Sequence, residues 1–232
     1  MNESLDIRVL FLDIGGVLLT NGWDRKTRQR AGEKFGLDLG EMNKRYHLTF
    51  DTYERGLLSL DEYLRRAVLY QDRAFMPEQF KDYMFRQSQL LDDNIEVFKK
   101  IAKANRQRVG AINNEGRELA VHRIREFHLA GLIEFFIRLS FVHSRKPDAD
   151  MFRLALDIAQ VSPEQAVYVE DRLMFVEVAR ELGIRSIHHE SLDQTLGTLA
   201  RMGLELPQLE EHGWPDRTRR ARARISFHVA SG

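Results

Sequence analysis

A short apolar run, Val9–Leu12, stops at Asp13 and is followed at once by Gly15-Gly16. It reads as a buried first strand that ends in a tight loop. The same arrangement recurs along the chain. Val109–Ile112 ends at Asn113-Asn114, Phe135–Val142 precedes Lys146, Ala166–Val169 ends at Glu170-Asp171, and Ile184–Ile187 supplies a fifth strand. Helical patterns lie between these runs over Asn94–Ala104, Glu115–His128, Asp150–Gln160 and Leu173–Leu182, the last closed by Gly183. Strands alternating with helices predict an α/β fold, a mostly parallel sheet with helices on both faces. Ligands of such sheets sit outside the carboxyl ends of the strands. Asp13, Asn113, Asn114, Lys146, Glu170 and Asp171 all fall there.

Residues 20–90 interrupt the alternation. They look helical over Asp24–Phe35, Glu41–Glu54, Ser59–Asp72 and Pro77–Leu90, and Ser59 with Glu62 has the form of a capping box. This predicts a helical insertion between the first two strands, with the amphipathic composition of a lid. His47, Tyr53, Glu54 and Arg55 are its candidates for facing the opening. Trp23 is expected either to line the pocket or to anchor the hinge. Near the end, Arg217, Arg219, Arg220, Arg222 and Arg224 crowd together. No nucleic-acid motif accompanies them, so they read as a solvated terminus, docked in part through Ile225 and Phe227.

The bulk numbers exclude several functions. Lys+Arg and Asp+Glu both count 35, so a formal charge of zero offers no general attraction to nucleic acid or an anionic membrane. The absence of cysteine rules out disulfides, thiolate metal ligands and a cysteine nucleophile. With no signal-like start and no span-length apolar run, the expected location is cytoplasmic.

Three carboxylates at the ends of adjacent strands repel one another unless a cation lies among them or some are protonated. Asp13, Glu170 and Asp171 offer only oxygen, which selects a hard ion, Mg²⁺ before Ca²⁺. Such an ion neutralises an incoming phosphate and the carboxylate that attacks it. Asp13 is the natural nucleophile, because the glycines behind it leave room for a tetrahedral phosphorus, and the expected intermediate is an aspartyl phosphate. Lys146 is placed to hold both Asp13 and the transferring oxygens. Asn113, Asn114 and Gly16 complete the expected substrate contacts. Elsewhere, His143 and Arg145 read as substrate-binding or surface residues, and His188-His189 as a packed or solvated pair.

Phe11-Leu-Asp-Ile-Gly-Gly-Val-Leu18, Ile112-Asn-Asn114, Arg145-Lys-Pro-Asp148 and Val169-Glu-Asp-Arg172 resemble, in order, the four motifs of the haloacid dehalogenase superfamily. The resemblance implies a Rossmann-like doubly wound sheet from residues 1–19 and 91–205, a small helical cap over 20–90 and a C-terminal tail over 206–232. It also implies Mg²⁺ dependence and, most often, hydrolysis of a small-molecule phosphate ester. By it, Asp13 is nucleophile and metal ligand, the Gly15 carbonyl is a second ligand, Glu170 and Asp171 complete the metal motif, and Lys146 is the motif lysine.

Three positions depart from the pattern. Gly15 replaces the second Asp that serves as general acid and base, Asn113 replaces a Ser or Thr, and Phe175 replaces a frequent Asn. An asparagine amide still donates to phosphate, and a phosphatase-like branch of the superfamily also carries Gly-Gly in its first motif. Two further readings stay open. Carbon–halogen hydrolysis needs neither metal nor an acid at position 15. A non-catalytic binding protein would keep the fold and lose the three residues.

Overall fold

The computed structural model describes residues 5–138 and 145–207. Five strands form one all-parallel sheet: β1 (Val9–Leu12), β2 (Arg108–Asn113), β3 (Phe135–Arg138), β4 (Ala166–Glu170) and β5 (Arg185–His188), in the order β3-β2-β1-β4-β5. The order reverses across β1, which makes its carboxyl end the topological switch point where doubly wound sheets bind ligands.

The apolar runs are continuous because the sheet is covered on both faces. Leu10, Leu12, Val167 and Val169 pack with α5 (Asn94–Ala104) and α9 (Leu192–Arg201). Val9, Phe11, Ala166 and Tyr168 turn to the other face, against α7 (Ala149–Ala159) and α8 (Leu173–Glu181). The remaining core helix, α6 (Arg117–Glu126), follows β2.

Between β1 and β2 the chain forms α1 (Arg25–Phe35), α2 (Leu39–Glu54), α3 (Leu60–Ala67) and α4 (Pro77–Phe85). Their apolar faces make a separate cluster containing Trp23, Tyr53, Tyr63, Leu64 and Phe80, joined from α6 by Leu119. Asp24 caps α1 through the Thr27 N–H, and the Ser59–Glu62 capping box is present at α3.

Several elements are shorter than their sequence patterns. Helix α3 ends at Ala67 rather than Asp72: Leu69 N–H reaches back to Leu64, and the Arg73 side chain takes the Val68 carbonyl at 2.8 Å. Helix α4 ends at Phe85 rather than Leu90 because the returning chain must pair with the outgoing one. Thr20 N–H donates to Gln89 at 2.8 Å, and the Thr20 hydroxyl donates to the Gln87 carbonyl at 2.9 Å. Helix α6 starts at Arg117, after Gly116. The third strand is described only to Arg138. The expected Arg217–Arg224 cluster, Ile225, Phe227 and His143 lie outside the described residues. Among the described residues no helix is long and apolar enough to cross a membrane.

Candidate active site

The sheet register places the acids. Leu12 pairs with Val169 across β1 and β4, and Asp13 N–H donates to the Val169 carbonyl at 3.0 Å, so Asp13 and Glu170 emerge side by side. Asp171 follows in the next loop. Oxygen atoms of Asp13, Glu170 and Asp171 lie within 4.8 Å of one another. Gly16 allows this approach. Its φ is +85°, and a Cβ there would stand 2.2 Å from Asp171 Oδ2, so only glycine fits. Gly16 itself is not among the residues lining the cavity in front of the acids.

Lys146 is buried and donates to Asp13 Oδ1 at 2.7 Å and Glu170 Oε2 at 2.5 Å. Asn114 sets its position: the side-chain amide donates to the Lys146 carbonyl at 2.8 Å and accepts the Lys146 N–H at 2.9 Å. Asn114 thus spends its side chain on the lysine loop. Asn113 donates to Glu115 at 3.2 Å, and its own oxygen is buried without a partner. The Phe175 ring lies 5.2 Å from the lysine nitrogen, where a cation is attracted to the aromatic face.

The charges divide unevenly. Burial raises Glu170, but the Lys146 charge and hydrogen bonds outweigh it and hold the carboxyl below its ordinary value. Tyr168 also donates to Glu170, and Arg172 N–H reaches the other oxygen at 3.2 Å. Asp13 has less support. Burial and the neighbouring Glu170 charge push it up to about 7 against the pull of Lys146. Burial lowers the Lys146 ammonium and its two carboxylates raise it, with the carboxylates prevailing. Asp171 is raised by burial and by its contact with Glu170.

The donor set fits a hard divalent cation. Every available ligand is oxygen, and Asp171 Oδ1 is buried with no partner. Asp171 Oδ2 accepts from Asn21 at 3.0 Å. Among the described residues no backbone N–H donates to the Gly15 carbonyl, which leaves it available. Glu170 has protein donors on both oxygens, so Asp13 and Asp171 carry the freer ones.

The cavity of about 450 Å³ runs from Asp13 to the inserted helices, a size suited to a small organic molecule. Tyr46, His47, Phe50, Asp51, Tyr53 and Glu54 line it from α2. They recur at helical spacing. Arg55 lies one residue beyond Glu54, about 100° further round the helix. It is exposed, outside the lining, and 3.9 Å from Asp51, so the expectation that it faces the opening is corrected. Trp23 both lines the cavity and anchors the helices, with its indole N–H donating to Tyr63 at 3.1 Å. Arg145 pairs with Asp51 and with Glu54 at 3.3 Å, tying α2 to the lysine loop. Glu54 is buried, and that burial pushes its carboxyl up to about 7.

Sequence reasoning missed Arg123 and Tyr168. Arg123 is 3% exposed, pairs with Glu115 at 2.6 Å and donates to Ser88 at 2.8 Å and Thr20 at 3.3 Å. One guanidinium therefore grips both strands of the hinge. An arginine at helical spacing from Leu119 and Ala120, on the apolar face of α6, was the available signal. Tyr168 was legible only as an apolar strand residue, although it lies two positions before Glu170 and so on the same side of β4. The histidine pair is packed. His188 contacts the Asp171 carbonyl at 3.0 Å, and buried His189 bonds Thr195 at 2.8 Å.

A sequence model described as haloacid dehalogenase-like hydrolase matches residues 7–183. The chain is 30% identical over 218 residues to drimenol cyclase drtB of Aspergillus calidoustus, covering 86% of this chain but 38% of that protein's length. Among solved structures, it resembles a HAD family enzyme of Bacteroides thetaiotaomicron in complex with magnesium and inorganic phosphate. The TM-score is 0.67 at 18% identity, covering 82% of this chain and 98% of the other. A HAD phosphatase from Thermococcus onnurineus matches at a TM-score of 0.54 and 18% identity, over 78% and 85% of the two chains. At such identities the structural likeness shows the fold.

Proposed function

The chain belongs to the haloacid dehalogenase-like hydrolase family, and from that premise we propose that it is a Mg²⁺-dependent phosphate-monoester hydrolase. Its substrate is a small phosphorylated molecule. The observation that carries this reading is the cluster of Asp13, Glu170 and Asp171 within 4.8 Å, with Lys146 against two of the three. Carbon–halogen hydrolysis needs one carboxylate and no cation, and would gain nothing from the other two. Asp13, Asp171 and the Gly15 carbonyl would hold the ion, with Glu170 behind them. When bound, it supplies positive charge to the phosphoryl oxygens and favours the ionised form of Asp13.

The chain's own groups account for the rest. An Asp13 oxygen forms a bond to phosphorus as the ester P–O bond breaks, and the leaving oxygen takes a proton from water. Water then attacks phosphorus, releases inorganic phosphate and returns the Asp13 carboxylate. Lys146 holds Asp13 in line and offsets charge on the phosphoryl group. The inserted helices act as a cap that excludes bulk water and contacts the leaving group. Glu54 and Tyr46 are its specificity contacts.

The test is turnover of a phosphate-ester panel with and without Mg²⁺, beside Asp13→Asn. EDTA should abolish hydrolysis, Mg²⁺ should restore it, and Asp13→Asn should be inactive. Full activity after rigorous chelation refutes the metal-dependent reading. No turnover of any ester refutes the phosphatase reading and leaves carbon–halogen hydrolysis or a non-catalytic binding protein.

A further inference from the structure

Of the cations lining the cavity, Arg25 and Arg172 are exposed to solvent, and all but one of the rest are answered by a carboxylate. Lys146 is answered by Asp13 and Glu170, Arg123 by Glu115, and Arg145 by Asp51 and Glu54. Arg28 also lines the cavity and is 7% exposed. Among the described residues no carboxylate lies within 4.0 Å of it. Its only hydrogen bond there runs from Nη1 to the Trp23 carbonyl at 3.0 Å, and its Nε is buried without a partner.

The guanidinium is nevertheless held in place. Its carbon lies 3.6 Å from the centre of the Tyr46 ring, so the aromatic face fixes the plane of the fork. Removing a guanidinium from bulk water without a counter-charge is costly, and an apolar side chain would fill the same space against Tyr46 without that penalty. A planar set of donors, most of them unused, is suited to carboxylate or phosphate. Arg28 comes from α1, one of the inserted helices, whereas Asp13 comes from the sheet. The same cavity therefore contains two centres for anions, from two parts of the chain.

We propose that Arg28 is a second anion site in this cavity, and that the preferred substrate carries a further carboxylate or phosphate besides the phosphoryl group presented to Asp13. The inference rests on the hydrolase reading for the word substrate, but the anion site stands on the geometry of Arg28. Charge-assisted hydrogen bonds from a preorganised guanidinium imply a gain of about tenfold to a hundredfold in affinity.

Three non-hydrolysable probes test it on the full chain with Mg²⁺ by calorimetry: propylphosphonate, 3-phosphonopropanoate and propane-1,3-bisphosphonate. At least one doubly anionic probe should bind about tenfold or more tightly than propylphosphonate. Whether the carboxylate or the second phosphonate gains identifies the group. Arg28→Met should remove the advantage and Arg28→Lys should restore part of it, with melting temperatures checking that both fold. Equal or undetectable binding of all three probes by wild-type protein overturns the proposal, as does an advantage that survives Arg28→Met. Ester turnover is measured separately. Arg28-dependent binding without turnover refutes the hydrolase reading and keeps the anion site, whereas turnover without the advantage does the reverse.

Discussion

Gly15→Asp would place a carboxyl where the chain has none. The backbone permits it: Gly15 is outside the left-handed region, unlike Gly16 at +85°. A Cβ at Gly15 would meet Asn21 Oδ1 at 3.0 Å and Arg123 Nη1 at 3.6 Å. The first contact is tight, but it is the end of a flexible side chain that needs to move only a few tenths of an ångström. The cost in stability should therefore be about 1 kcal/mol. The second contact sets the chemical gain. A positioned general acid contributes about 10²–10⁴-fold, but Arg123 beside the new carboxyl favours its ionised form. The gain should sit at the low end, about 10²-fold on alkyl phosphates and less than about tenfold on aryl phosphates, which leave readily without a proton. The assay is single-turnover hydrolysis of alkyl and aryl esters at saturating Mg²⁺, plotted against leaving-group pKa. Wild-type protein should show a steep dependence and Gly15→Asp a flatter one. A wild-type slope near zero would mean another residue supplies the proton. A folded, Mg²⁺-binding Gly15→Asp with an unchanged slope would refute the role assigned to position 15.

Other perturbations separate the parts of the site. Lys146→Met leaves Asp13 and Glu170 facing each other without their shared cation, and without Mg²⁺ at pH 7.5 it should cost about 3–5 kcal/mol; urea unfolding at unchanged stability would contradict this. Asp13 and Glu54 have folded pKa values raised to about 7, so the metal-free native state holds more protons than the unfolded chain between about 4 and 7. Its stability should fall as pH rises from 5 to 7.5, and Mg²⁺ should remove part of that fall by binding the ionised form; a melting temperature that rises over this range would refute it. Glu54→Ala should alter relative kcat/KM across an ester panel while Arg55→Ala leaves it unchanged, because only Glu54 lines the cavity. Equal effects of the two variants would mean that burial does not distinguish them.

The order of strands and helices, and the clustering of polar residues at strand ends, were legible in the sequence because both depend on short-range pattern. A strand covered on both faces must be apolar throughout, so Val9–Leu12 and Ala166–Val169 announce themselves, and the residues that end them occupy the carboxyl edge. The capping box of Ser59 and Glu62 is equally local. What the pattern does not encode is which side chains meet across the fold. Asn114 grips Lys146 across 32 positions, and Arg123 reaches Thr20 across 103. The α4 helix stops where the return chain finds hydrogen-bond partners on Thr20, a contact invisible to helical periodicity. A single residue step around α2 separates buried Glu54 from exposed Arg55. The uncompensated charge of Arg28 is likewise a property of the assembled cavity, because a missing partner is defined only once every neighbour has been placed.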